Sequence, residues 1–132
     1  MTAEQKPSPQ QLSEQARASS AWDVMQQVPS KADKTKYGSL ARKLPALIQT
    51  NGLGQTLAFL RSKPDKPHFK VLYGHVSNWV IVQVGGSGDL LEWVIRQNSS
   101  QYRRATTEAI AYAMWLRRFA EAEGWGETGG EM

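Results

Sequence analysis

The chain's only two imidazoles, His68 and His75, lie seven residues apart, close to two helical turns. That spacing can put both rings on one helix face. A nucleophile–base pair would also need a hydroxyl in reach and a carboxylate to orient the ring, and nothing nearby suggests that carboxylate. A metal held through both rings would lack further ligands, because there is no cysteine. Surface or partly buried histidines fit this context better than catalytic ones. Asp89 and Glu92 are the only closely spaced carboxylates in the middle of the chain, and a helix cap followed by a first-turn charge accounts for both. A two-metal nuclease needs several converging carboxylates. Gly85-Gly86-Ser87-Gly88 could offer backbone amides to a phosphate, but it lacks the lysine and hydroxyl of a nucleotide-binding loop and fits no dinucleotide fingerprint. It reads as a flexible hinge. No catalytic residue, metal site, cofactor or small-molecule substrate is expected.

Binding chemistry is better represented. Sixteen Lys and Arg stand against twelve Asp and Glu, for a net charge of +4, a mild excess that favours polyanionic partners. Lys31, Lys34, Lys36, Arg42 and Lys43 form one basic run opposed only by Asp33. Arg61, Lys63, Lys66 and Lys70 form a second around Asp65, and Arg103/Arg104 and Arg117/Arg118 are Arg-Arg pairs. The acidic residues gather late, at Glu121, Glu123, Glu127 and Glu131. On a helical wheel Arg104, Ala111, Trp115 and Arg118 lie together. A tryptophan between arginines can stack a base or anchor a protein partner, and it can equally be buried inside a bundle. A solvated face is the commoner fate of a basic run such as 31–43.

The elements that must position these residues are helical. One helix is expected from Pro9 or Gln10 to Val28, with Leu12, Ala16, Trp22, Met25 and Val28 apolar and Pro29 ending it. After a short basic linker, Lys34 to Thr50 places Tyr37, Leu40, Ala41, Leu44, Leu47 and Ile48 on one face. Pro45 should kink or restart that helix, and Asn51-Gly52 should end it. A third helix runs from Leu53 to Arg61 or Lys63, with Leu53, Leu57, Ala58 and Leu60 inward. His68–Val84 repeats at helical spacing despite the β-branched Val80-Ile81-Val82. Asp89 should cap a short helix. The last helix, from Ser100 to Glu123, turns Tyr102, Ala105, Ala109, Ala113, Leu116 and Ala120 inward. The fold class expected is all-α, a compact bundle of five to six helices with one interrupted by Pro45. Residues 1–9 read as a flexible arm, 10–123 as a single helical domain and 124–132 as a disordered glycine-rich tail. The absence of cysteine and of a membrane-spanning run suits a cytoplasmic protein.

Two blocks carry a resemblance. The first is YGSLARKLPALIQTNGL, Tyr37 to Leu53, continuing to Leu57-Ala58-Phe59; the second is YRRATTEA, Tyr102 to Ala109, followed by WLRRFAE, Trp115 to Glu121. Together they resemble the small-subunit family of the type III-B CRISPR effector, the fifth protein of the Cmr RNA-silencing complex. The stretch from His68 to Ile95 has no residue-level match. The resemblance implies an all-helical subunit that is not itself a nuclease. Copies of it stack along a ribonucleoprotein filament, against the backbone and large subunits and beside the guide RNA and target RNA. Such a subunit would grip phosphates without reading sequence, because base pairing supplies the sequence. By type and position, Arg42, Lys43, Arg103 and Arg104 are the RNA-binding candidates, with Lys31, Lys34 and Lys36 behind them. Trp115 and Arg118 then belong to a protein interface or to the core. A freestanding basic helical protein that binds RNA or DNA is the alternative.

Overall fold

The computed structural model describes residues 9–126. Among them there are six helices and no strand: α1 (Pro9–Gln26), α2 (Lys31–Asn51), α3 (Leu53–Arg61), α4 (Pro67–Gln83), α5 (Leu90–Val94) and α6 (Ser99–Ala122). Residues 1–8 of the expected arm and 127–132 of the expected tail lie outside the described residues.

α6 packs against each of the other five helices, most extensively against α2 and then α1. Its inward stripe is built from small residues, Ala105, Ala109, Ala113 and Ala120, with Leu116 and Tyr112, all fully buried. Small side chains let neighbouring helices approach closely. Asn98 caps its start by accepting the amide of Gln101 at 2.9 Å. Tyr112 stacks on Trp79 of α4 at 5.3 Å between centroids, and its hydroxyl lies 3.0 Å from Ser20 of α1.

α1 differs from the sequence expectation. It ends at Gln26, short of the expected Val28, and buries Ala21 and Met25, whereas Leu12 and Trp22 are exposed. Leu12 and Ala21 are nine residues apart, two and a half turns, so they face opposite sides. The apolar residues of α1 therefore do not form one stripe. What locks α1 down is polar: Arg17 of α1 donates from Nε and Nη2 to the Glu108 carboxylate of α6 at 2.7 and 3.0 Å, and Trp79 Nε1 adds a third bond at 2.8 Å. Burial raises the proton affinity of Glu108, but these donors and the Arg17 and Arg104 charges outweigh it and hold its carboxyl below the usual range.

α2 begins three residues earlier than the apolar pattern indicates. Ser30 accepts the Asp33 amide at 3.1 Å and its hydroxyl donates to the Asp33 carboxylate at 2.8 Å. This cap recruits Lys31, Ala32 and Asp33 into the helix in place of a basic linker. α2 also runs unbroken through Pro45, which is buried. Tyr37, Leu40, Ala41, Leu44 and Ile48 anchor the helix on both sides of the missing amide, so tertiary packing outweighs the local defect. Gly52 ends α2 at φ 87° and opens α3, and buried Thr56 donates back to the Gly52 and Leu47 carbonyls. α3 turns Leu53, Leu57 and Leu60 inward and leaves Ala58 exposed.

The β-branched run of α4 is helical. Val80 and Ile81 are buried and Val82 is exposed. The glycine segment after it is a packed turn, because a Cβ on Gly86 would come within 2.7 Å of the Trp93 indole nitrogen. Asp89 caps α5 through the Glu92 amide at 3.1 Å, as the sequence indicates, and it also accepts Tyr73 Oη at 2.6 Å and Arg61 Nη1 at 3.0 Å.

The first residues of the expected tail, 124–126, pack back onto the bundle. Gly124 turns the chain at φ 70° and Trp125 returns to cross α2 at Gly38, where a Cβ would meet the Trp125 carbonyl carbon at 2.5 Å. Arg42 Nε donates to the Trp125 carbonyl at 2.7 Å, Lys34 Nζ sits 5.5 Å above its ring, and Tyr37 meets it edge-on.

Candidate nucleic-acid interface

Lys36 and Lys43 are two turns apart on α2 and therefore share a face, and both are exposed. They line a groove of 370 Å³ between α2, Phe59 of α3 and the first turn of α4 at His68 and Phe69. The same end gathers the second basic run. His68 has its pKa lowered by burial first and then by the positive charges of Lys36 and Lys66, which outweigh Asp33. Lys63 and Lys70 line the adjoining groove with Arg61, and Lys31 is exposed at the start of α2. The structure thus brings two basic runs that are separate in sequence to one end of the bundle, with Asp33 and Asp89 among them.

The other candidates lie elsewhere. Arg42, one residue from Lys43, is rotated by about 100° and engages the Trp125 carbonyl, and half-buried Lys34 sits over that same indole. Arg104 donates to the Val84 and Gln83 carbonyls at 3.2 and 3.0 Å, a cation closing the C-terminal end of α4. Arg103 is exposed beside it. Neighbouring Tyr102 accepts the Gly54 amide at 2.7 Å, which fixes this pair at the far end of α2. Roughly 24 Å of helix separates Lys36 from Gly52. The sequence-derived cations therefore form two sites, with Arg42 turned away from both.

Trp115 is half-buried. Its indole nitrogen donates to Glu14 of α1 at 2.7 Å and its ring tilts against Phe119, which meets Trp22 edge-on. Arg118 is exposed and shares Glu121 with Arg117. Trp22, Trp115 and Phe119 make an aromatic surface at the α1–α6 junction.

Acid–base chemistry has little to work with here. His68 and His75 do line one cleft of 510 Å³ between the end of α1, the start of α2 and α4. Tyr37 Oη lies 2.8 Å from His75 Nδ1, and burial lowers the His75 pKa to about 4, so its ring is neutral near pH 7. Asp89 is consumed by its cap, Tyr73 and Arg61. Among the described residues no group of three His, Asp or Glu is placed to hold a metal ion, and no helix is long and apolar enough to cross a membrane.

Sequence reasoning did not place Lys63, Lys66 or Lys70 at the site, nor exposed Phe59, nor the Trp125 crossing. Only the last had a readable signal, a glycine in mid-helix at position 38.

The fold and surface define a small all-α bundle with a positive groove formed by α2, α3 and α4. Comparison with known proteins narrows this. The profile of the family described as CRISPR-associated protein (Cas_Cmr5) matches residues 13–123. The Thermus thermophilus protein named CRISPR system Cmr subunit Cmr5 is 33% identical over 111 residues, covering 82% of this chain and 92% of that protein. The crystal structure of a CRISPR-associated Cmr5 family protein from Thermus thermophilus superposes with a TM-score of 0.70 at 33% identity, covering 83% of this chain and 94% of the other. The chain belongs to the CRISPR-associated Cmr5 family.

Proposed function

We propose that this chain is a non-catalytic small subunit of a type III-B CRISPR (Cmr) ribonucleoprotein complex, stacking with copies of itself along the filament and supporting guide RNA and target RNA binding in antiviral defence. Family membership and the name of the Thermus thermophilus relative support the assignment to the complex. The observation that carries the RNA part is that Lys36 and Lys43 line one groove, whose His68 edge also feels the Lys66 charge. Lysine ammonium groups there attract phosphates without reading bases, which suits a complex whose sequence recognition is delegated to base pairing. Lys31 extends this surface. Arg103, with Arg104 beside it, offers a second phosphate contact at the other end. Arg42 and Lys34 act more through Trp125 than through RNA. Trp115 and Arg118 face the other Cmr subunits on the α1–α6 side.

The test is reconstitution of the complex with Lys36→Glu and Lys43→Glu, singly and together. Target capture should weaken alike for unrelated guide sequences, and the slope of log affinity against log salt should fall by about one per lost phosphate contact. Unchanged capture would remove RNA from this face. Tight, salt-dependent binding by the isolated chain, undiminished without partner subunits, would favour a freestanding RNA- or DNA-binding protein instead.

A further inference from the structure

The groove beside Lys36 and Lys43 contains aromatic surface that the bundle does not use. Phe59 is 40% exposed, on the side of α3 away from buried Leu53, Leu57 and Leu60. It meets Phe69 edge-on at 5.3 Å between centroids, and His68 approaches Phe69 from the start of α4 at 5.0 Å. An edge-on contact leaves a ring face free. The groove's 370 Å³ lies within the range of small-ligand sites, roughly 300–1,000 Å³. No carboxylate lines it. α4 starts there without a side-chain cap, so the positive end of its dipole adds to Lys36 and Lys66.

We propose that this groove takes an unpaired nucleobase of single-stranded RNA, stacked on Phe59 with His68 at its edge, while the flanking phosphates lie on Lys36 and Lys43. Base-paired nucleotides bury their faces in the helical stack, so only a splayed-out base reaches a recessed ring. Positive charge on the rim with exposed aromatic surface inside is the pattern of a single-strand site. Lys36 and Lys43, with no carboxylate beside them in the lining, favour an occupant that carries negative charge over a purely apolar protein segment. The inference rests on the RNA path proposed above and adds to it a specific contact and a preference for unpaired RNA.

The experiment uses the reconstituted complex loaded with guide and target RNA carrying photoreactive 4-thiouridine, with adducts mapped by mass spectrometry. Adducts should fall on Phe59 or His68 and come from unpaired positions. Phe59→Leu, which keeps apolar contact with Phe69 but removes the stacking plane, should weaken binding of RNA with unpaired segments roughly fivefold to a hundredfold. Phe59→Trp should retain it, which separates loss of stacking from loss of folding. Adducts on the lysine side alone, with Phe59→Leu binding as wild type does, would overturn the stacking site and leave the RNA path standing. If no adduct falls on this subunit and Lys36→Glu has no effect, both fall. A carbodiimide cross-link from Lys36 or Lys43 to a partner subunit's carboxylate would make the occupant an acidic protein segment and refute the inference.

Discussion

Gly38→Ala sets two effects against each other at one atom. In a helix interior the change alone stabilises by about 0.5–1 kcal/mol. Here the new Cβ meets the Trp125 carbonyl carbon and Cβ at 2.5 Å, and backbone cannot swing aside as a side chain would. Overpacking of this kind costs about 1–3 kcal/mol. Displacing Trp125 also strips the Arg42 bond and the Tyr37 contact, worth about 1 kcal/mol more. The net expectation is a loss of about 1–3.5 kcal/mol, or about 4–14 °C in Tm for a chain of this size. In a chain ending at Glu123 the obstacle is gone and the same substitution should raise Tm by about 2–4 °C. Thermal unfolding followed by circular dichroism, with and without Gly38→Ala in each background, reads the sign. A change of the same sign in both backgrounds would refute the account of Gly38 as a crossing point.

Three further expectations concern the polar interior. Glu108→Gln and Arg17→Met should each destabilise by about 1–2 kcal/mol, with a double-mutant coupling near 1 kcal/mol; simple additivity would show the pair to be energetically idle. Because the Glu108 carboxyl is held below its usual value of 4.5, its stabilising effect is complete above that pH and is lost as pH falls beneath it. His75 has an ordinary pKa of 6.5 and a folded one of about 4, so the folded state binds fewer protons between those values. Stability should therefore fall by roughly 2–3 kcal/mol as pH drops across that window, a slope that His75→Gln should flatten in urea titrations at stepped pH. Asp89→Ala should cost about 2 kcal/mol by removing the α5 cap and the Tyr73 acceptor. Faster amide exchange at Glu92 would confirm this, and unchanged exchange would count against the cap.

The helices were legible because their apolar spacing is local information. Tyr37, Leu40, Ala41, Leu44 and Ile48 recur every three or four residues and are buried as that pattern dictates. α1 misleads because its apolar residues fall on opposing sides and its hold on α6 is ionic. Lys31 looked like linker because the Ser30 cap sits before any apolar repeat. At the site, the shared face of Lys36 and Lys43 follows from their spacing alone. The approach of Lys66 depends on how α4 packs against α2, and the capture of Arg104 by the Gln83 and Val84 carbonyls on how α6 packs against α4. Neither packing is written in a local pattern.

The central place of α6 bears on how the chain acquires its structure. α6, which like α4 touches every other helix, is the last of the six to leave the ribosome, and its main neighbours, α2 and α1, are the earliest made. Until residues beyond Ser99 are available, Trp79 lacks the Tyr112 ring it stacks on and Arg17 lacks its Glu108 partner. Domains assembled from such distant contacts fold slowly and expose apolar surface while they wait. Synthesis interrupted before α6 would therefore yield a sticky, protease-sensitive fragment rather than a smaller stable bundle. Ribosome-bound chains of increasing length should show protection arriving late, once α6 has emerged.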